Sequence, residues 1–234
     1  MRGFWRGIPE RCIPMLEPIQ TTAIPVAVGK QDYWELYYSN LPETIRPLPS
    51  QFAVFVAGEL KSPHRVIDFG CGNGRDSLFF SSYGHRTIGV DASETAVKHC
   101  ARLAERFGEN ADFVTSDVQN PDLAGRILTS LGPTAVYARF FLHAITEAEE
   151  QSFLRCANTL TTTGDVMAVE YRTMRDLSMP KTTKRHYRRF MDPVVFHLAA
   201  QRHGFQVRYA VEGFGFAKHN EDDAYVARCL LVRD

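Results

Sequence analysis

Val66-Ile67-Asp68-Phe69-Gly70-Cys71-Gly72-Asn73-Gly74-Arg75-Asp76 is the stretch whose reading decides the fold. An apolar run ends near an acid, three alternate glycines follow, and a helix is predicted over 75–83. Glycine permits positive φ and lets a ligand press against backbone. A helix start just behind the turn offers unpaired N–H groups and the positive end of a dipole, which suits a carboxylate or phosphate. The G-x-G-x-G spacing departs from the dinucleotide pattern G-x-G-x-x-G. No Lys-Ser or Lys-Thr follows, so the turn is not a P-loop.

Working outward, strands and helices alternate. Strands are predicted at 65–69, 87–90, 112–116, 135–142 and 166–171, with helices at 93–107, 147–160 and 192–203. Thr146 and Glu149 form a capping box ahead of the second of these helices, and Gly204 closes the third. Two last strands, 207–211 and 224–232, have only a loop between them and can pair as a hairpin. Upstream, Ser50 is a plausible N-cap for a helix over 51–60, and 32–38 is an aromatic segment of one or two helical turns. The expectation is an α/β, Rossmann-like, doubly wound and mostly parallel seven-stranded sheet with a C-terminal antiparallel hairpin. Residues 1–31 read as an irregular arm, and 32–234 as one domain with a helical lid over 32–61.

The turn resembles motif I of class I SAM-dependent methyltransferases, D-x-G-C-G-x-G, and two further segments fit that family. Gly89-Val90-Asp91-Ala92-Ser93 ends the second strand with an acid, 21 residues after Gly70, that can accept hydrogen bonds from ribose hydroxyls. Val114-Thr115-Ser116-Asp117-Val118 ends the third, where the family places an Asp on the adenine amino group and the next N–H on the ring. The resemblance implies a cofactor site of Asp68, Gly70, Cys71, Gly72, Gly74, Asp91, Ala92, Asp117, Val118 and Arg139. It implies S-adenosyl-L-methionine as cofactor, S-adenosyl-L-homocysteine as product and no metal. Tyr33 to Tyr38, Pro49 to Ala53, Arg139 to Ala144 and His186 to Phe190 look like bacterial small-molecule methyltransferases of natural-product or polysaccharide biosynthesis.

No Asn/Asp-Pro-Pro-aromatic motif follows the fourth strand; Ala138-Arg139-Phe140-Phe141-Leu142-His143 stands there. His143 is the candidate catalytic base, because its ordinary pKa lies near neutrality; the alternative is a structural histidine. Arg139 fits the methionine carboxylate, an acidic acceptor, or an ion pair across the sheet end. Glu170 and Tyr171 close the fifth strand on opposite faces. If helical, Lys181, Lys184, Arg185, Arg188 and Arg189 make a basic stripe suited to an anionic acceptor. The candidate substrate-binding residues are Tyr33, Tyr37, Tyr171, Arg185, Tyr187, Arg188 and Arg189.

Composition sets the bounds. The chain has 234 residues, 44% hydrophobic and 23% charged, with 27 basic against 27 acidic side chains. That balance makes a dedicated nucleic-acid partner unlikely by charge. Five cysteines at wide spacing suggest neither a zinc site nor a disulfide framework and fit a reduced, cytoplasmic setting. No apolar run is long enough for a membrane span. The expected activity is O-methylation of a small acidic metabolite; the alternatives are an RNA or protein methyltransferase and a SAM-binding protein without turnover.

Overall fold

The computed structural model describes residues 29–39, 47–128, 132–179, 187–218 and 222–234; the arm over 1–28 lies outside them. The elements run α1 (Lys30–Tyr38), α2 (Gln51–Glu59), β1 (Arg65–Phe69), α3 (Arg75–Ser82), β2 (Arg86–Asp91), α4 (Glu94–Phe107) and β3 (Ala111–Thr115). They continue α5 (Leu123–Ile127), β4 (Thr134–Arg139), α6 (Glu147–Leu160), β5 (Val166–Arg172), α7 (Pro193–Arg202), β6 (Phe205–Gly213) and β7 (Val226–Arg233).

The seven strands form one sheet in the order β3-β2-β1-β4-β5-β7-β6. The pairs β1–β2, β1–β4, β2–β3 and β4–β5 are parallel. β7 runs antiparallel between β5 and β6, so the expected hairpin is present and its second strand inserts into the sheet. The strand order reverses between β1 and β4, and the crevice at the carboxyl ends of those strands is where such a sheet binds ligands.

β1 is buried at all five positions, as a central parallel strand must be. Its alternate residues divide between two cores. Ile67 and Phe69 join Phe153, Leu154 and Phe196 on the α6–α7 side, whereas Val66 packs with Phe52, Val56, Phe80 and Tyr137 on the α2–α3 side. Ser50 and Ser93 cap α2 and α4 through their side chains, and the Thr146–Glu149 capping box closes as predicted. α2 is tied to the sheet by polar contacts as well. The Asp76 carboxylate accepts the Ser50 N–H at 2.7 Å, the Ser50 hydroxyl at 2.8 Å and the Tyr137 hydroxyl at 2.8 Å.

Two local expectations change. β4 stops at Arg139 rather than Leu142: Phe140 takes φ +56°, and Leu142–Ala144 is a 3-10 turn. The left-handed residue and the turn after it end the strand, and Phe141 packs against Phe69 and Gly70 at the end of β1. The helical condition for the basic stripe is not met over its described part. Residues 187–190 have no helical structure, and the rest of that stretch, 180–186, lies outside the described residues.

Candidate active site

The site is assembled from the carboxyl ends of β1, β2, β3 and β4. After β1, Gly70, Gly72 and Gly74 have φ of +69°, +55° and +73°. The N–H groups of Gly70 and Cys71 both donate to the Val90 carbonyl, at 2.8 and 3.1 Å, which locks the turn against β2. Asp91 then grips the turn from the end of β2. Its carboxylate accepts the Gly72 N–H at 2.9 Å on one oxygen and the Ser93 N–H at 2.9 Å on the other. Each oxygen keeps a further lone pair for an incoming donor. Burial, outweighing these bonds, raises the Asp91 pKa above the ordinary carboxylate value.

Each glycine of the turn is closely approached by a protein side chain. A methyl group added at Gly70 would lie 2.6 Å from the Phe141 ring, at Gly72 2.7 Å from the Tyr38 hydroxyl, and at Gly74 2.7 Å from Cys100 Sγ. Close approach is therefore made from three directions by the chain itself. Cys71 is buried beside Cys100, and the hydrogen bond between the thiols together with burial pushes its pKa up. Asp68 is buried and accepts the Ser77 hydroxyl at 2.6 Å, so it fastens β1 to α3; burial raises its pKa strongly. α3 begins without a side-chain cap. Ser116 donates its N–H to the Asp91 carbonyl at 2.9 Å, which brings Asp117 beside Asp91. Asp117 is exposed and accepts the Gln119 N–H at 2.7 Å, while Val118 is buried in the core and Ala92 is exposed.

Residues 66–164 match the methyltransferase domain family. An uncharacterized methyltransferase of Bacillus subtilis is 36% identical over 75 residues, 30% of each chain. The 2-heptyl-1-hydroxyquinolin-4(1H)-one methyltransferase of Mycobacteroides abscessus is 31% identical over 94 residues, 39% of this chain and 40% of that one. The matched region thus spans well under half of either curated relative. A SAM-dependent methyltransferase structure from Anabaena variabilis superposes with TM-score 0.67 at 20% identity, covering 89% of this chain and 96% of the other. Residues 66–164 thus match a methyltransferase domain, set in the fold of SAM-dependent methyltransferase structures.

The residues of this methyltransferase domain fit S-adenosylmethionine. Each Asp91 oxygen, with one backbone bond made, has a lone pair that could accept a ribose hydroxyl, and the start of α3, where Gly74 supplies no side-chain cap, would suit an anionic group. Among the described residues, no group of three or more His, Cys, Asp and Glu is placed to hold a metal ion. No described helix is long and apolar enough to cross a membrane.

On the β4 side, Arg139, Glu170 and Arg228 occupy facing positions on β4, β5 and β7. Glu170 is fully buried and accepts Arg139 Nε at 2.8 Å and Arg228 Nε at 2.6 Å. Burial lowers the Arg139 pKa, but Glu170, Tyr137 and Asp76 outweigh it and the net shift is upward. The Phe140 ring lies 4.2 Å from the Arg139 guanidinium and 5.5 Å from that of Arg172. Arg172 pairs with Asp176 at 2.7 Å and Asp222 at 2.8 Å. His143 is buried against the Phe140 ring, and its Nδ1 accepts the Arg172 N–H at 3.3 Å. That bond places its proton on Nε2.

The substrate-binding expectations separate. Tyr33 is half-buried near Arg188, whose charge lowers the Tyr33 pKa against the larger upward effects of burial and Tyr37. Tyr37 and Tyr187 are exposed. Arg188 is half-buried beside Arg172, Asp176 and Asp222. Arg189 turns the other way, to an ion pair with Glu150 and a 3.2 Å bond to the Leu142 carbonyl. Neighbouring residues of an extended segment diverge, so the stripe divides between Arg188 and Arg189. Tyr171 is fully buried against Phe196 and Cys229, on the sheet face opposite Glu170. Arg185 lies outside the described residues.

Sequence reasoning missed Glu35, Tyr38 and Phe140. The i,i+3 spacing of Glu35 and Tyr38 marks one helix face and was the available signal. Nothing in the sequence around Phe140 marks a positive φ.

Proposed function

We propose that this chain transfers a methyl group from S-adenosylmethionine to the oxygen of a small acceptor bearing an acidic group, with 32–234 as the working domain and 32–61 as its lid. The observation that carries methyl transfer is Asp91, held on Gly72 and Ser93 beside three left-handed glycines. The cofactor supplies an electrophilic methyl on a sulfonium, so the chain has to bind, align and exclude water.

An anionic acceptor is supported by the ground past β4. Glu170 occupies the Nε side of Arg139, which leaves the outer edge of that guanidinium for a carboxylate or phosphate oxygen. Arg172 lies against the same Phe140 ring, and Arg188 is close enough to Arg172 to feel its charge. With Nδ1 accepting the Arg172 N–H, a neutral His143 carries its proton on Nε2 and in this reading is a donor rather than a base. An acceptor oxygen that is already ionised needs no base, and its lone pair displaces the methyl in line. A cytoplasmic small-molecule partner is consistent with this chemistry.

The test is calorimetric titration with S-adenosylhomocysteine, followed by a product-release screen over carboxylates, phosphates, phosphonates and neutral phenols. Binding with turnover on the anionic acceptors is expected. No binding would refute the cofactor reading, and turnover confined to neutral phenols or to RNA would refute the acceptor reading.

A further inference from the structure

The aromatic segment ahead of the domain has its own chemistry. In α1, Glu35 and Tyr38 share a face at i,i+3. The Glu35 carboxylate reaches the start of α4. One oxygen accepts the Glu94 N–H at 2.8 Å and the other the Thr95 N–H at 3.2 Å. Ser93 satisfies only the Ala96 N–H of that helix by its side chain, at 3.1 Å. Two donors that every helix start leaves unpaired are therefore met by a residue from another helix. These bonds outweigh partial burial and lower the Glu35 pKa below its ordinary value. Gln31 adds a 3.5 Å contact from its amide to the Ala92 carbonyl.

The anchor point matters because of what lies on either side of it. Asp91 stands two residues before Ser93 and bonds both Ser93 and Gly72. One helical step beyond Glu35, Tyr38 is laid on Gly72 itself, filling the space a side chain there would take, with Trp34 stacked on it at 5.8 Å. Tyr38 is enclosed near Asp91, Cys71 and Cys100, and burial pushes its pKa well up. Nearer the start of the same helix, Tyr33 lies within electrostatic range of Arg188. One helix thus carries both a tyrosine that feels Arg188 and a tyrosine packed on the cofactor turn.

We propose that Glu35 is a positioning residue: its carboxylate fastens α1 to the first turn of α4, holds Tyr38 over Gly72 and Asp91, and so sets how long the cofactor and its product are retained. This rests on the reading that S-adenosylmethionine binds at Asp91. Exchange of cofactor for product requires α1 to lift, and the two bonds from Glu35 are what it breaks first. A carboxylate on two N–H groups is a strong enough tie to change a dissociation rate about tenfold.

The experiment measures S-adenosylhomocysteine association and dissociation rates by surface plasmon resonance, beside urea unfolding of the free protein. Glu35→Ala is expected to speed dissociation about tenfold with little change in association, and Glu35→Gln, which keeps one acceptor oxygen, about threefold. Tyr38→Ala should speed dissociation similarly, and the double substitution should exceed neither single by more than about twofold, because both act through one docked helix. A merely structural carboxylate would lower the urea midpoint and leave dissociation within twofold of the parent; that result overturns the proposal. Additive effects of Glu35→Ala and Tyr38→Ala overturn it as well. If Glu35→Ala does not fold, Glu35→Gln decides. A parent protein that binds no S-adenosylhomocysteine overturns the cofactor reading and this proposal with it.

Discussion

Gly74→Ala isolates the packing that shapes the cofactor turn. Gly74 sits at φ +73°, where an L side chain costs about 1–2 kcal/mol. The new methyl would also lie 2.7 Å from Cys100 Sγ and 3.2 Å from its Cβ, and Cys100 is fully buried in α4. Overpacking of a tight core adds about 1–3 kcal/mol. A stiffer unfolded chain returns about 0.4–1 kcal/mol. The net loss is about 3 kcal/mol, or a fall in Tm of roughly 6–12 °C for a chain of this size. Cys100→Ala removes the offending sulfur and, with it, a 3.2 Å contact to the Gly72 carbonyl, at a cost of about 1 kcal/mol. The double substitution should therefore be less damaging than the two singles together by about 1–2 kcal/mol, because the sulfur clash is gone while the tight Cβ contact and the dihedral strain stay. Urea unfolding of all four proteins gives the coupling directly. Additivity within about 0.5 kcal/mol would show that the Cys100 contact does not shape the turn.

Substitutions at three other positions probe separate parts of the site. Glu170→Ala leaves Arg139 and Arg228 without their shared buried carboxylate and should cost about 3–5 kcal/mol in urea unfolding, whereas Glu170→Gln should cost less because it retains one acceptor. Asp91→Ala should weaken S-adenosylhomocysteine binding about thirtyfold by calorimetry, from loss of charged acceptors for the ribose. Asp68 has a raised folded-state pKa, so the folded chain holds that proton more tightly than the unfolded chain does. Its effect is therefore absent below the unfolded value of about 4, and stability falls as pH rises from there toward the raised value. Asp68→Asn should be more stable than the parent above that window, with a flatter dependence of urea midpoint on pH; parallel curves would contradict the assignment.

The sheet was legible because its determinants are local. Val66 to Asp76 carries both a fully buried strand and the turn that follows it, and the strand–helix alternation leaves few topologies open. The hairpin was also readable, since no helix separates β6 from β7. The short helix Leu123–Ile127 escaped, because five residues carry too little periodicity to stand out. The overrun of β4 to Leu142 has a different cause. Ala138-Arg139-Phe140-Phe141-Leu142 has good strand composition, and only the tertiary setting turns Phe140 to φ +56°. There the ring meets its neighbour Arg139, His143 across the turn and Arg172 from the end of β5.

The cofactor half of the site and the acceptor half differ for the same reason. Asp68, Asp91 and Asp117 each end a strand, so strand periodicity locates them. What strand periodicity does not give is charge pairing. Lys181 to Arg189 reads as a surplus of positive charge, yet Arg189 is spent on Glu150, Arg172 on Asp176 and Asp222, and Arg139 on Glu170. Those carboxylates lie from four to fifty residues away in sequence. Among the described residues, this compensation leaves a few guanidinium edges, rather than a row of unpaired charges, for the proposed acceptor. Selectivity should then follow the geometry of one anionic group more than the total charge of the acceptor. A monoanionic carboxylate matched to the outer edge of Arg139 is accordingly expected to be methylated more efficiently than a polyanion of the same size, and the ratio of kcat/KM for such a pair of acceptors measures it. A preference for the polyanion would mean that the pairs seen here open when substrate binds.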